Sequence, residues 1–199
     1  EDPRLLKRNE FIGGLYNEFI EQRTPLQLMK TLMANYILEG IYFYSGFMFF
    51  YNLGRMGLMP GSVQEIRYIN RDENTHLWLF RSIILELRKE EPQLFVPEYE
   101  QLYRDMLKQG VEEEIEWGCS ILGDEIPGLN KTMIRDYIHY LGNLRAKAIG
   151  LDLIHPGEEE EPSSMKWVSQ YANANLIKTD FFEARSSAYA KASALKDDL

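Results

Sequence analysis

Thr31–Leu53, TLMANYILEGIYFYSGFMFFYNL, is the stretch on which the reading of this chain turns, because its only formal charge is Glu39. A Gly/Pro-rich break, Gly54–Gly61 (GRMGLMPG), follows it, and then a second helical stretch holding Arg71–His76 (RDENTH). Glu73-x-x-His76 sets a carboxylate and an imidazole one helical turn apart on the same side, the half-site from which di-metal centres in helix bundles are built. If both stretches are helical and fold back at Gly54–Gly61, Glu39 lies 14 residues before Leu53 and Glu73 lies 11 residues after Ser62. At 1.5 Å per residue those offsets are roughly 21 and 17 Å, so Glu39, Glu73 and His76 reach similar depth in an antiparallel pair.

The second stretch also fixes a direction. Ile66, Ile69, Glu73, His76, Phe80, Ile83 and Leu87 follow steps of three and four, which predicts one continuous core-facing stripe with Glu73 and His76 in its middle. A carboxylate buried in such a stripe is costly unless it is protonated, paired or bound to a metal. A Glu–His hydrogen bond without metal is the alternative; Glu39 at matching depth favours the metal.

These residues carry a family resemblance. Glu39-Gly-Ile-Tyr-Phe-Tyr-Ser-Gly-Phe47, followed by Arg-Asp-Glu73-Asn-Thr-His76, closely resembles the small, radical-generating subunit of class I ribonucleotide reductase. The resemblance continues through Gly128-Leu129-Asn130, Asn143-Leu-Arg145, Gly150-Leu151-Asp152 and Phe181-Phe182-Glu183, and so covers essentially the whole chain. The YSGF wording is most similar to the manganese/iron subgroup. The resemblance implies an all-α, ferritin-like helical bundle, with residues 1–155 carrying half of a di-metal site and residues 156–199 forming a connector and a C-terminal tail that docks on the large catalytic subunit. It further implies a dinuclear centre, Fe/Fe or Mn/Fe, with Glu39 and His76 as terminal ligands and Glu73 as a bridge. That centre would activate oxygen and pass an oxidising equivalent to the large subunit, where ribonucleotides are reduced to deoxyribonucleotides.

Other roles rest on the same resemblance. Phe43, Phe47 and Ile69 match the apolar pocket that shields the oxidant, although core packing alone would account for all three. Asp72 matches a carboxylate that orients a ligand histidine, and Tyr189 the tail tyrosine that relays the radical between subunits. The family's first carboxylate, its first Glu-x-x-His and its radical-bearing Tyr or Phe have no counterpart here. The expectation is therefore a C-terminal portion, completed by an upstream half of the small subunit and forming a homodimer when complete. A ferritin-like oxidase or oxygenase, and a non-enzymatic helical partner module, are the competing readings.

Composition is consistent with these expectations. The 199 residues are 45% hydrophobic, enough for a sizeable core, and the net charge of −9 with no basic patch excludes a nucleic-acid surface. Thr31–Leu53 is long enough to span a bilayer, but Glu39 at mid-span, with Asn35 and Asn52, points to a helix buried within the protein. A lone cysteine, Cys119, forbids an internal disulfide and is read as an idle thiol; with no signal-like segment in EDPRLLKRNE, the expected location is cytoplasmic.

Along the chain, helices are predicted over Leu6–Gln22, from Pro25 after a Thr24 cap, from a Ser62-x-x-Glu65 capping box, over Glu98–Leu122, and from an Asn130 cap to a stop at Gly150. Glu112, Glu113, Glu114 and Glu116 read as a solvated face. Asp136-x-x-His139 reads as a surface or interface pair, His155 receives no role, and HPGEEEEPSS (155–164) is a connector that Trp167 may anchor. No internal repeat and no Gly-rich phosphate loop is present.

Overall fold

The computed structural model describes residues 2–172, and among these it is helical with no strand. Seven α-helices follow in order: α1 (Pro3–Gln22), α2 (Pro25–Gly40), α3 (Tyr44–Arg55), α4 (Pro60–Glu90), α5 (Pro97–Ile121), α6 (Lys131–Ala148) and α7 (Lys166–Ala172). Short 3-10 turns at Pro92–Phe95 and Ser163–Met165 join them. Local chemistry sets most of the ends. Thr24 accepts from the Gln27 amide with Pro25 in the first turn, and Asn130 accepts from the Met133 amide. Gly150 adopts φ +76 just past α6, where a left-handed residue closes the helix.

Three expectations change. The capping box does not form: Pro60, whose ring presets a helical φ, starts α4 two residues early, and no side chain caps it. The buried line of α4 is Val63, Asn70, Leu77 and Ile84, in steps of seven, beside the predicted stripe. Ile69 is 45% exposed and Ile66, Phe80, Ile83 and Leu87 are half-buried, so that stripe borders the core.

The third change matters most for the site. Thr31–Leu53 is not one rod but two, broken at 41–43 into a 16-residue α2 and a 12-residue α3. At the break the Tyr42 amide reaches back five residues to the Ile37 carbonyl. Distant side chains satisfy the groups that the interruption leaves over. Arg145 Nε donates to the Gly40 carbonyl (3.2 Å), Arg8 Nη2 donates to the Tyr42 carbonyl (2.7 Å), and Glu114 Oε1 accepts from the Ser45 amide (2.8 Å) at the start of α3. A carboxylate at a helix N-terminus also complements the helix dipole.

Glu113 and Glu114 are therefore buried, at 5% and 0% exposure, and only Glu112 and Glu116 of the predicted solvated run face water. Gly110, Glu114 and Gly118 lie on one face of α5, and that face presses on α2 and α3. A Cβ at Gly110 would stand 2.4 Å from Ile37 Cγ2, and one at Gly118 would stand 2.3 Å from Ser45 Oγ.

The core is shared by all the helices. It includes Met165 and Val168, both fully buried, so residues 156–172 pack onto the same core as the bundle. Trp167 does anchor that segment: Arg55 stacks over its ring at 4.4 Å, and Tyr171 stacks on Tyr51 at 5.5 Å. No helix among the described residues is long and apolar enough to cross a membrane.

Candidate metal centre

Glu39 stands one residue from the end of α2, and Glu73 and His76 are one turn apart near the middle of α4. One ligand atom from each lies within 4.8 Å of the others. His76 Nδ1 is 3.2 Å from Glu73 Oε2 and 3.3 Å from Glu39 Oε2, so one imidazole nitrogen faces two carboxylates. The contact with Glu39 lacks hydrogen-bond alignment, and Glu39 Oε2 is shielded from solvent with no donor at all. Burial pushes the Glu39 carboxyl above its usual range; the Glu73 charge adds to this and His76 opposes it. A cation placed among these three groups would satisfy the orphaned oxygen and relieve the like-charge contact. Oxygen and imidazole donors are also the set that iron and manganese accept. The residues fit a metal.

The site is not enclosed as the sequence predicted. The carboxylates are 17% and 16% exposed but the His76 side chain is 51% exposed, because this flank of α4 lies outside the buried line. Beside the carboxylates runs an apolar groove of about 260 Å3, lined by Phe43, Phe47, Ile69, Glu73 and Trp117 among others. Phe47 is buried and Phe43 partly exposed; the α2–α3 break turns both toward α4.

The remaining predicted residues are placed differently. Asp72 points away: its side chain is 61% exposed and pairs with Arg71 Nε at 3.1 Å. Tyr189, with the proposed docking tail, falls outside the described residues. Cys119 is half-buried and donates weakly to the Lys131 carbonyl, and burial raises its thiol pKa. Asp136 pairs with Arg135 rather than with His139, which turns instead toward Glu158 and Glu112.

Sequence reasoning missed the network behind the centre. Arg8 Nη1 lies 2.9 Å from Glu114 Oε2, and its guanidinium covers the Tyr42 ring at 4.0 Å. Tyr42 donates to Glu113 Oε2 (2.6 Å), which Lys7 and Gln109 also approach. Two signals were available. Arg8 shares the i, i+4, i+7 face of Ile12 and Leu15, and Glu114 sits midway between two glycines four residues away on either side, a face made for close approach.

A profile of the ribonucleotide reductase small chain matches residues 1–162. The ribonucleoside-diphosphate reductase subunit beta of Treponema pallidum is 66% identical over all 199 residues, which span 57% of that protein. The subunit of the same name from Halalkalibacterium halodurans is 40% identical over 97% of this chain and 55% of its own length. Among solved structures, the ribonucleotide reductase R2 subunit of Clostridium botulinum superposes with a TM-score of 0.81 at 47% identity, covering 86% of this chain and 54% of that one. The chain thus spans a little over half the length of the relatives it matches.

Proposed function

Because this chain belongs to the ribonucleotide reductase small-chain family, we propose that it supplies half of the ligand set of that subunit's dinuclear metal centre. Glu39 and His76 serve as terminal ligands and Glu73 as the bridging carboxylate. The centre, when loaded with iron or with manganese and iron, supplies oxygen activation and a one-electron oxidising equivalent for ribonucleotide reduction on a large partner subunit.

The chain's own residues have narrower tasks. Glu73, held in the interior of the long α4, and Glu39, at the end of α2, bring two negative charges to one point, so that a doubly charged ion is favoured there over water. Phe43, Phe47 and Ile69 wall the groove beside Glu73 and restrict water at its apolar side. Asp72, exposed next to the bridge, is available to accept an imidazole N–H from a residue outside the described ones. The stretch that includes Tyr189 is assigned to docking and radical relay.

The observation that carries this reading is the convergence of three donors around a Glu39 oxygen that no protein group satisfies. The test is titration of the 199-residue chain with Fe2+ or Mn2+ under anaerobic conditions, followed by equilibrium dialysis and, for Mn2+, paramagnetic resonance. Glu39→Gln and Glu73→Ala should each weaken uptake by at least about ten-fold, the usual scale for loss of one oxygen donor's worth of charge. Glu39→Gln should also leave the metal-free chain more heat-stable, since it removes a like-charge contact. Unchanged uptake in both variants would overturn the assignment.

A further inference from the structure

A second constellation lies on elements that the first centre does not use. Glu112 of α5, His139 of α6 and His155 of the connection to α7 bring one donor atom each within 4.8 Å of one another. The two imidazoles stack, with centroids 4.0 Å apart and planes inclined by 17°. His139 Nε2 faces Glu112 Oε1 at 3.7 Å, while on the other side of the ring Nδ1 lies 2.5 Å from Glu158 Oε2.

The loop that delivers two of these groups is fixed in advance by one side chain. Asn143, 1% exposed on α6, accepts at Oδ1 from the amides of Ile154 (3.0 Å) and His155 (2.9 Å). Its Nδ2 donates to the carbonyls of His155 (2.7 Å) and Glu158 (3.0 Å). His155 and Glu158 are therefore registered against His139 before any ligand arrives, which lowers the ordering cost of binding.

The donors themselves are unsatisfied. His139 Nδ1 and Nε2, His155 Nε2 and Glu158 Oε2 are all shielded from solvent, and none has a hydrogen bond of acceptable geometry. Buried polar atoms are almost always paired, so four orphans at one spot call for an explanation. An imidazolium at His139 between Glu158 and Glu112 would answer three of them but would leave His155 Nε2 without a partner. A cation answers them all.

We propose that Glu112, His139 and His155 form a second metal site, for a divalent transition ion of the zinc type. Glu158 accepts from His139 Nδ1–H and so turns Nε2 toward the ion. Two imidazole nitrogens and one carboxylate oxygen are a three-ligand zinc set whose fourth position takes water, and a carboxylate behind a ligand imidazole fixes its tautomer and raises its basicity. Donors around a tetrahedral zinc at about 2.0–2.1 Å stand roughly 3.4 Å apart, so the side chains close by about an ångström on binding. The ion clips the loop that leads to α7 onto α5 and α6.

The test is equilibrium dialysis of the 199-residue chain against Zn2+ as the only divalent ion, with Co2+ absorption as a second readout of imidazole ligation. The wild type should hold one more tight equivalent than His155→Gln. Glu73→Gln, which lies in the other centre, should retain that equivalent. Glu112→Gln, at an exposed position that leaves the fold intact, should weaken it at least ten-fold and shift the Co2+ bands. Equal zinc uptake by wild type, His155→Gln and Glu112→Gln overturns the proposal, as does loss of the equivalent in Glu73→Gln alone or the absence of tight zinc in the wild type.

Discussion

Glu39 and Glu114 are both carboxylates whose proton affinity rises through burial, but different neighbours oppose the rise. Beside Glu39 stand another carboxylate and a half-exposed imidazole, and one of its oxygens has no donor at all. Glu114 is fully buried between Arg8 and the Ser45 amide, and burial still outweighs both partners, raising its pKa from 4.5 to about 7. The Arg8 contact at 2.9 Å is close but poorly aligned for a hydrogen bond, which is why it does not cancel the desolvation. The pH dependence follows from the sign. Below pH 4.5 Glu114 is protonated in both states; between 4.5 and about 7 only the folded chain keeps the proton; above 7 both forms are ionised. Its contribution to stability therefore falls as pH rises through that window, by about 3 kcal/mol at most, and is constant above it. Urea unfolding at pH 5 and pH 7.5 should show the decline in wild type and a much flatter slope in Glu114→Gln. Equal slopes would mean that Glu114 is ionised throughout.

At the scale of elements, the break between α2 and α3 decides how the donors meet. Its position was not legible in TLMANYILEGIYFYSGFMFFYNL, because Gly40 and the aromatic run tolerate a continuous helix. What interrupts it are groups brought in by tertiary structure: Arg8, Glu114 and Arg145. The helix ends were legible because Thr24, Pro25, Asn130 and Gly150 act within a turn of themselves. Capping at Ser62 failed because Pro60 competes locally for the same role. The convergence of Glu39, Glu73 and His76 was likewise legible, since it needs only helical rise and the length of one turn. The openness of the flank was not, since the apolar stripe on α4 and the buried line beside it differ by a small rotation of the helix. Arg8→Ala tests the tertiary account. It removes the Tyr42 carbonyl's donor and leaves Glu114 buried without its cation, so it should destabilise the chain by about 3–5 kcal/mol, as for the breaking of a buried ion pair. Arg8→Ala/Glu114→Ala together should lose less than the sum of the two single variants, measured by chemical denaturation of all four proteins. Strict additivity would show that the pair does not act as a unit.

For the whole molecule, the two donor clusters sit on separate elements, α2 and α4 on one side and α5, α6 and the following loop on the other. They share no residue, and each ties together segments distant in sequence: residues 39 with 73–76, and 112 with 139 and 155. An ion that binds only the folded chain stabilises it by RT ln(1 + [L]/Kd), about 2.7 kcal/mol at one hundred times Kd. For a chain of this size that corresponds to a rise in melting midpoint of roughly 5–10 °C for each filled site. Since the sites have no common partner, their contributions should add. Scanning calorimetry with Mn2+ and Zn2+ in excess should thus show one increment missing in Glu73→Ala, the other missing in His155→Gln, and neither in the double variant. If Glu73→Ala instead abolished both increments, the loop clip at His139 and His155 would not bind an ion of its own, and the heat stability conferred by metals would belong to the α2–α4 centre alone.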